Sequence, residues 1–276
     1  MTTQLESLGV PLGVSRGRAR TTLADVWHLA WRILRNMARI KVFVFFSLVQ
    51  PVLWLLLYTA LFARFAEFGV LPAGVSYLQF FAPGLVVTTV LFGGVWSGMG
   101  TIRDIDSGML EKMLVTPVSR VAIIFGRLLA AAIQVSLQCG IIFLLALILG
   151  MRIRGGPAAV LVAFAVVALL AFVFAGFSNG LAVVFGREEP LMAISNFLTL
   201  PLMFVSTALV PEDVAAPWVR TLAHFNPVNW GIVAVRTSFI EGVRLDVIAP
   251  RLGGLALLAA AIVTWCTLLF RRGLRR

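Results

Sequence analysis

Long apolar segments dominate the sequence and decide what kind of fold it can form. A helix needs roughly 20 apolar residues to cross the ~30 Å hydrocarbon core of a bilayer. The chain is 60% hydrophobic and 13% charged, whereas soluble domains have ~45–50% apolar and ~25% charged residues. Six segments approach or exceed the required length, at about residues 42–62, 77–102, 121–149, 158–185, 191–210 and 252–270. The sequence therefore predicts an all-α polytopic membrane protein with six transmembrane helices.

Basic residues are distributed unevenly around these six predicted spans. If both termini lie in the cytoplasm, most of the 23 lysines and arginines fall on the cytoplasmic side, as the positive-inside rule requires. The net charge of +11 would also suit nucleic acid, but the charges flank apolar runs and do not cluster on a soluble face. We therefore predict a multi-pass protein with cytoplasmic termini and no nucleic-acid partner.

The N-terminal region is predicted to lie on the inner membrane surface before the first span. Residues 1–21 form a polar cytoplasmic tail, and residues 22–41 carry Val26, Ala30 and Ile33 at helical spacing with basic residues opposite. Such an amphipathic helix lies in the membrane interface, with its cations towards anionic headgroups. The alternative is a helix packed on a soluble partner. The residues expected to contact membrane lipid are Trp27, Trp31, Arg32, Arg35 and Arg39.

One charged stretch, Arg103–Arg120, interrupts the apolar segments on the predicted cytoplasmic side. Asp106 and Ser107 are suitable N-terminal caps and Pro117 is a stop signal, which predicts a short helix between them. A short amphipathic helix between two spans is a candidate docking element for another protein, and the alternative is an ordinary solvated loop. Its apolar residues form a narrow stripe of Met109, Leu110, Met113 and Leu114.

Residues 211–251 are too polar and too rich in proline to form a simple span. The composition fits a segment that dips partway into the membrane and returns, which requires that other spans shield its backbone. The alternative is a plain extracytoplasmic loop. The residues that mark this candidate re-entrant element are Pro217, Trp218, Asn226, Pro227 and Arg236.

No motif in the sequence supplies an energy source or a catalytic centre. The GxxxxGK[ST] phosphate loop is absent. An ion-coupled carrier would need an acidic residue inside a span, but every aspartate and glutamate falls outside the six predicted spans. The two cysteines and two histidines show no metal-ligand spacing. A transporter with this sequence would need a separate motor, and a cytoplasmic docking helix is an element that such a motor could push.

Two separated motifs in the chain resemble those of the type-2 ABC exporter permeases. The run from Asp106 to Arg120 is similar to the signature loop of that family, with a glycine, a Leu-Glu pair, a leucine-rich turn, and then Thr-Pro and Arg. The resemblance extends from Thr22 to Arg272 and is closest to the drug-resistance and antibiotic-export branch. The second motif precedes the last span and comprises Phe197-Leu198, Pro201-Leu202, Phe204, Ser206, Pro211, Pro217-Trp218, Asn226-Pro227 and Arg236.

The resemblance implies the permease subunit of an ATP-driven exporter, with residues 42–272 as its transmembrane domain. The substrate would be hydrophobic or amphipathic, such as a drug, an antibiotic or a lipid, and would move outward across a bacterial plasma membrane. A separate ATPase subunit would bind ATP and magnesium, and a second permease chain would complete a homo- or heterodimer. This chain would then be no enzyme and hold no cofactor of its own.

The same resemblance implies which residues meet the ATPase. A second cytoplasmic contact is expected at Arg187, Glu188 and Glu189. The main coupling helix, expected over residues 106–116, and its flanks supply Asp106, Gly108, Met109, Leu110, Glu111, Lys112, Met113, Leu114, Thr116, Pro117 and Arg120.

Aromatic and methionine side chains on two predicted spans are candidates for a substrate path between two permease chains. Each could equally face lipid or the packed core. They are Phe81, Phe92, Phe197, Met203 and Phe204. Two other functions stay open from the sequence: the same architecture exporting a polysaccharide or lipid-linked glycan, and an integral membrane scaffold or enzyme without transport activity.

Overall fold

A computed structural model describes the protein over residues 23–62, 64, 71, 74–115 and 118–273. Within these residues every regular element is a helix, so the predicted all-α fold is confirmed. A 3-10 turn, Glu212–Val214, lies between the eighth and ninth α-helices. The helices are α1 (Leu23–Arg39), α2 (Lys41–Leu61), α3 (Tyr77–Trp96), α4 (Met99–Asp106), α5 (Met109–Leu114), α6 (Arg120–Ile148), α7 (Gly156–Phe185), α8 (Glu188–Phe204), α9 (Pro217–Phe225), α10 (Pro227–Ile240) and α11 (Leu245–Gly273).

Five helical segments of the described chain are long and apolar enough to cross a membrane. They are α2, α3 together with α4, α6, α7 and α11, and they correspond to predicted spans one, two, three, four and six. The fifth predicted span, residues 191–210, is α8, which has 17 residues and ends at Phe204. At about 1.5 Å per residue it reaches ~26 Å, less than the ~30 Å core of a bilayer. The predicted count of six membrane-crossing helices is therefore not confirmed.

Helix α7 forms the centre of the bundle, with α3, α6, α10 and α11 packed around it. Val167 and Leu170 on α7 are fully buried. Glycines of α3 and of the turn after it allow a close approach to α7. A Cβ atom on Gly94 would stand 2.6 Å from the Cβ of Phe174, and one on Gly98 would stand 2.5 Å from the carbonyl oxygen of Ser178. The C-terminal end of α3 therefore touches the backbone of α7.

The amphipathic helix predicted for residues 22–41 corresponds to α1, Leu23–Arg39. Thr22 and the predicted tail of residues 1–21 lie outside the described residues. α1 rests on the first turns of α6, where a Cβ on Gly126 would stand 2.7 Å from the Cβ of Leu29. Ala30 on the same side of α1 is fully buried. One side of α1 is thus fixed to the bundle, and the other is exposed.

Most of the segment 211–251 is helical, and its second helix is enclosed by the bundle. α9 ends and α10 begins at Asn226, whose side-chain oxygen accepts a hydrogen bond from the backbone N–H of Val228 at 2.9 Å. On α10 the side chains of Ile232, Val235 and Phe239 are buried, among α3, α7 and α11. The segment is therefore mostly helical rather than an irregular loop. Its entry into and return from a membrane stay a prediction.

Candidate functional site

The short helix α5 begins at a tight turn after α4. Asp106 is the last residue of α4, and Ser107 is its C-terminal cap. Gly108 follows with φ of 64°, a left-handed conformation that glycine adopts without steric cost. The expected N-terminal cap at Asp106 and Ser107 is therefore wrong, because the chain reverses at Gly108 and α5 starts only at Met109.

One side of α5 faces the bundle. Leu110 is 2% exposed, and Met113 is buried with it in a cluster that includes Ile124, Leu128 and Phe270. Burying a leucine or methionine side chain stabilises by about 1.5–3 kcal/mol. These two members of the predicted docking stripe thus anchor α5 to α6 and α11, and they do not present an apolar surface to a partner.

The opposite side of α5 is open and forms what we call the docking face, defined by Asp106, Met109, Glu111, Lys112 and Val115. All five residues are exposed, and Val115 is 87% exposed. Val115 was not among the predicted coupling residues, although its position three and four residues after Lys112 and Glu111 places it on their side of a helix. The docking face offers two carboxylates, an ammonium group and two apolar side chains to a partner.

The other predicted coupling residues are only partly located. Thr116 and Pro117 lie outside the described residues, as does the side chain of Leu114. Arg120 begins α6, and its guanidinium Nη1 donates a hydrogen bond to the carbonyl oxygen of Arg271 at 3.3 Å. This contact connects the start of α6 to the end of α11. It is favourable because the carbonyl end of a helix attracts a cation.

The predicted second contact lies close to the first. Arg187 is the N-terminal cap residue of α8, and Glu188 and Glu189 are in its first turn, where the helix dipole favours negative charge. The carboxylate Oε1 of Glu188 is 3.8 Å from Nε of Arg103 on α4. Arg187 and Glu189 are exposed. The two charged turns therefore contribute to one continuous surface of the molecule.

A partly buried charge cluster lies behind this surface, and we call it the ion triad: Arg32 on α1, Asp104 on α4 and Arg127 on α6. Arg127 Nη2 donates a hydrogen bond to Asp104 Oδ2. The same oxygen lies 4.0 Å from Arg32 Nη2. The Arg127 side chain is only 7% exposed, so removing its partner would leave a buried charge, which costs about 3–5 kcal/mol.

Sequence reasoning did not select Asp104 or Arg127 as functional residues. A signal existed, because an arginine inside a predicted span requires a partner, and Asp104 lies two residues after the end of the preceding predicted span. The triad also changes the expectation for Arg32. Its Nη2 lies 3.2 Å from the sulfur of Met113, so its side chain points to α5 and not to lipid headgroups.

The other lipid-facing candidates on α1 are placed as an interfacial helix requires. Trp27 and Trp31 are exposed and stack with their ring centroids 6.3 Å apart. Arg35 and Arg39 are also exposed. Aromatic rings with flanking cations suit the headgroup region of a membrane.

Side chains of α10 and of Asn226, which precedes it, hold the chain that follows α8 in a non-helical conformation. Asn226 Nδ2 donates hydrogen bonds to the carbonyl oxygens of Leu202 and Val205 at 2.7 and 2.6 Å. Asn229 Oδ1 accepts from the backbone N–H of Thr207 at 3.0 Å and from its hydroxyl at 2.7 Å. We call Asn226, Asn229 and Arg236 the polar clamp.

Arg236 completes the clamp from α10. Its Nη2 donates to the carbonyl oxygen of Thr207 at 2.6 Å, and its Nε donates to that of Phe80 at 3.1 Å. Its guanidinium carbon lies 3.8 Å from the centroid of the Phe80 ring. Of the other residues predicted for the re-entrant element, Pro217 and Pro227 occupy the first helical positions of α9 and α10, and Trp218 is exposed.

The candidate substrate-path residues have different environments. Phe81 is buried and stacks on Tyr58 with ring centroids 5.1 Å apart, so it belongs to the packed core. Phe92 on α3 and both phenylalanines on α8, Phe197 and Phe204, are exposed. Met203 and Phe204 border a cavity of about 230 Å3 between the end of α8 and α9.

The amino-acid sequence is similar to known transport proteins over most of its length. Residues 24–240 match the family described as ABC-2 type transporter. The chain is 31% identical over 215 residues to a putative transport permease of Cyanophora paradoxa, with 78% of this chain and 73% of that protein covered. It is 27% identical over 225 residues to a daunorubicin resistance ABC transporter permease protein of Streptomyces coeruleorubidus, with 81% and 77% covered. It is 24% identical over 274 residues to a probable doxorubicin resistance ABC transporter permease protein of Mycobacterium tuberculosis, with 99% and 96% covered.

Proposed function

Because the chain belongs to the ABC-2 type transporter family and is thus a transmembrane subunit of an ABC transporter, we propose that it is the permease of an exporter driven by a separate ATPase. The family resemblance inferred from the two sequence motifs is confirmed, and relatives named for daunorubicin and doxorubicin resistance agree with its drug-export branch. In this proposal the chain lies in a bacterial plasma membrane with both termini in the cytoplasm.

The observation that carries the proposal is the division of α5 into two faces. Leu110 and Met113 fix the helix to the bundle, while the docking face and the first turn of α8 stay open on the same surface. A short helix that is rigidly mounted and exposes mixed charge and apolar area suits the groove of a soluble protein. The partner ATPase would sit here and bind the ATP and magnesium.

The exposed side of α8 supports a hydrophobic or amphipathic substrate and a second permease chain. Phe197 is 81% exposed, and Leu200 and Phe204 are exposed with it. In the proposal the α8 helices of two chains face each other, and the substrate passes between them. The apolar character of this face does not suit a polysaccharide, which needs hydrogen-bonding groups along its path. The second chain is either another copy of this one or a related permease.

The proposal is tested by reconstituting the chain with the ABC ATPase whose gene lies nearest to its own. The pair is purified through a tag on the permease, and ATP-dependent transport is measured in proteoliposomes with daunorubicin as the probe. The combined change of Glu111→Lys and Val115→Asp should lower recovery of the ATPase and ATP-dependent transport by about tenfold, because it reverses one charge and removes an apolar contact at the interface.

A matched control changes charge elsewhere on the surface. Glu241→Gln removes a carboxylate from the exposed ion pair that Glu241 forms with Arg244, whose atoms are 2.9 Å apart. This variant should assemble and transport like the wild type. Normal assembly and transport by the docking-face variant would show that the ATPase binds elsewhere or not at all.

A further inference from the structure

Helix α4 is held differently at its two ends. At its start, neutral hydrogen bonds join it to α7: Gly98 N donates to Ser178 Oγ at 3.0 Å, and Thr101 Oγ1 donates to Asn179 Oδ1. Asn179 Nδ2 also donates to Ser97 Oγ at 3.0 Å. This network of hydrogen bonds fixes the start of α4 against α7, the centre of the bundle.

The other end of α4, which leads into α5, is held by the ion triad. Asp104 binds Arg127 on α6 and lies near Arg32 on α1, and Arg32 in turn contacts Met113 on the inner side of α5. One carboxylate therefore connects the docking helix to the interfacial helix and to a membrane-crossing helix. A movement of α5 reaches α1 and α6 through this point as well as through apolar contacts.

The charges in the triad do not balance. Two guanidinium groups share one carboxylate, and the Nε atoms of Arg32 and Arg127 are enclosed without a hydrogen-bond partner among the described residues. The 4.0 Å gap from Asp104 Oδ2 to Arg32 Nη2 exceeds hydrogen-bond length by about 1 Å. Helix shifts of about 1–2 Å are common in coupled transitions, so a small movement of α4 brings Asp104 into a hydrogen bond with Arg32.

We infer that Asp104 is a positioning residue that passes movement of the docking helix to the membrane helices by exchanging between Arg127 and Arg32. This inference rests on the proposed function, since it assumes that an ATPase moves α5. An ion pair with two alternative partners has two discrete arrangements, which a continuous apolar contact does not have. The carboxylate charge, and not only the volume of the side chain, is therefore required.

The test uses the reconstituted complex with the ATPase. Asp104→Asn keeps the size of the side chain and removes its charge. The variant should bind the ATPase and hydrolyse ATP like the wild type, while the amount of daunorubicin transported per ATP hydrolysed falls by about tenfold. Asp104→Glu, which restores the charge, should recover much of this ratio, whereas a merely structural side chain would not separate hydrolysis from transport. Glu241→Gln serves as the carboxylate control and should leave the ratio unchanged.

A second variant decides the matter if Asp104→Asn does not accumulate in the membrane. Arg32→Gln relieves the excess positive charge and leaves the Asp104–Arg127 pair intact, so the chain should fold. It removes one of the two partners, and the transport ratio should fall by about threefold. An unchanged ratio in Arg32→Gln would overturn the inference.

The possible failures are distinguishable. If wild-type complex does not form or does not transport, the proposed function is wrong and the role of Asp104 falls with it. If the wild type transports and Asp104→Asn has a normal transport ratio, only the role of Asp104 is wrong. If Asp104→Asn folds but no longer binds the ATPase, Asp104 supports docking and does not pass on the movement, and the inference is again overturned.

Discussion

At the scale of single residues, close helix contacts depend on glycine, which has no side chain. Gly98 lies between α3 and α4, and an added Cβ atom there would stand 2.5 Å from the backbone oxygen of Ser178. A real Cβ cannot approach a carbonyl oxygen that closely, and a backbone atom cannot move aside as a flexible side chain can. The contact between α3 and α7 therefore depends on this position staying glycine.

The prediction at this scale compares two identical substitutions. Gly98→Ala should lower the free energy of unfolding by about 1–3 kcal/mol, because it overpacks a helix contact. Gly253→Ala on α11 meets no atom within 4 Å, and alanine is the better helix former by about 1 kcal/mol. Denaturation in mixed micelles should therefore show a loss for the first variant and none for the second. Equal stability of the two variants would contradict the contact at Gly98.

At the scale of elements, the sequence predicts the short helix α5 but not which of its sides faces the bundle. The sequence correctly predicts an apolar stripe on a short helix. It does not tell what the stripe packs against, because a groove on a partner and the side of the bundle both accept apolar residues. Only the packing of Leu110 and Met113 against α6 and α11 decides between them. The turn at Gly108 was also missed, because Asp106 and Ser107 are good caps in any sequence.

Helix α8 illustrates another limit of reading a sequence. Val205, Ala208, Leu209 and Val210 continue the apolar pattern, so hydropathy predicts a span to residue 210. The backbone leaves the helix at Phe204 because the polar clamp binds it from residues that follow about 20 or more positions later. Such distant hydrogen bonds have no periodic signature, whereas the apolar lengths that give the overall all-α fold are local and were predicted.

The prediction for this element concerns Asn229. Asn229→Ala should destabilise the protein by about 1–3 kcal/mol, because it leaves the buried N–H of Thr207 without its acceptor. Residues 205–210 should also exchange amide hydrogens faster. The control, Asn36→Ala, makes the same change at an exposed position of α1 and should have no effect on either measurement. Unchanged exchange in Asn229→Ala would show that the clamp does not hold this segment.

At the scale of the whole molecule, the described chain leaves an apolar face of α8 uncovered. Lipid can cover such a face. However, the exposed aromatic side chains belong to α8, a helix too short to cross the bilayer alone. A second permease chain placed there would shield the polar groups at the end of α8. The arrangement of helices around α7 was not predictable from hydropathy, because every apolar span is equally able to take the central place.

The prediction at this scale concerns pairing through α8. Phe197→Cys should form a disulfide-linked dimer in oxidised membranes if two copies of this chain face each other there. The natural Cys139 and Cys266 are buried, so they should add little background. Leu257→Cys on α11 is a matched control, since Leu257 is 76% exposed on a different helix. Crosslinking of the control but not of Phe197→Cys would place the homodimer contact elsewhere.

The seating of α1 on Gly126 has a consequence for how the protein is made. The two sides of this contact are separated by about 100 residues of chain, which a ribosome needs roughly 5–20 s to synthesise. During that interval Ala30 and its apolar neighbours have no α6 on which to pack. The membrane surface would then cover the apolar side of the newly synthesised α1. Packing of α1 on the bundle can follow only after α6, the third long apolar segment, has entered the membrane.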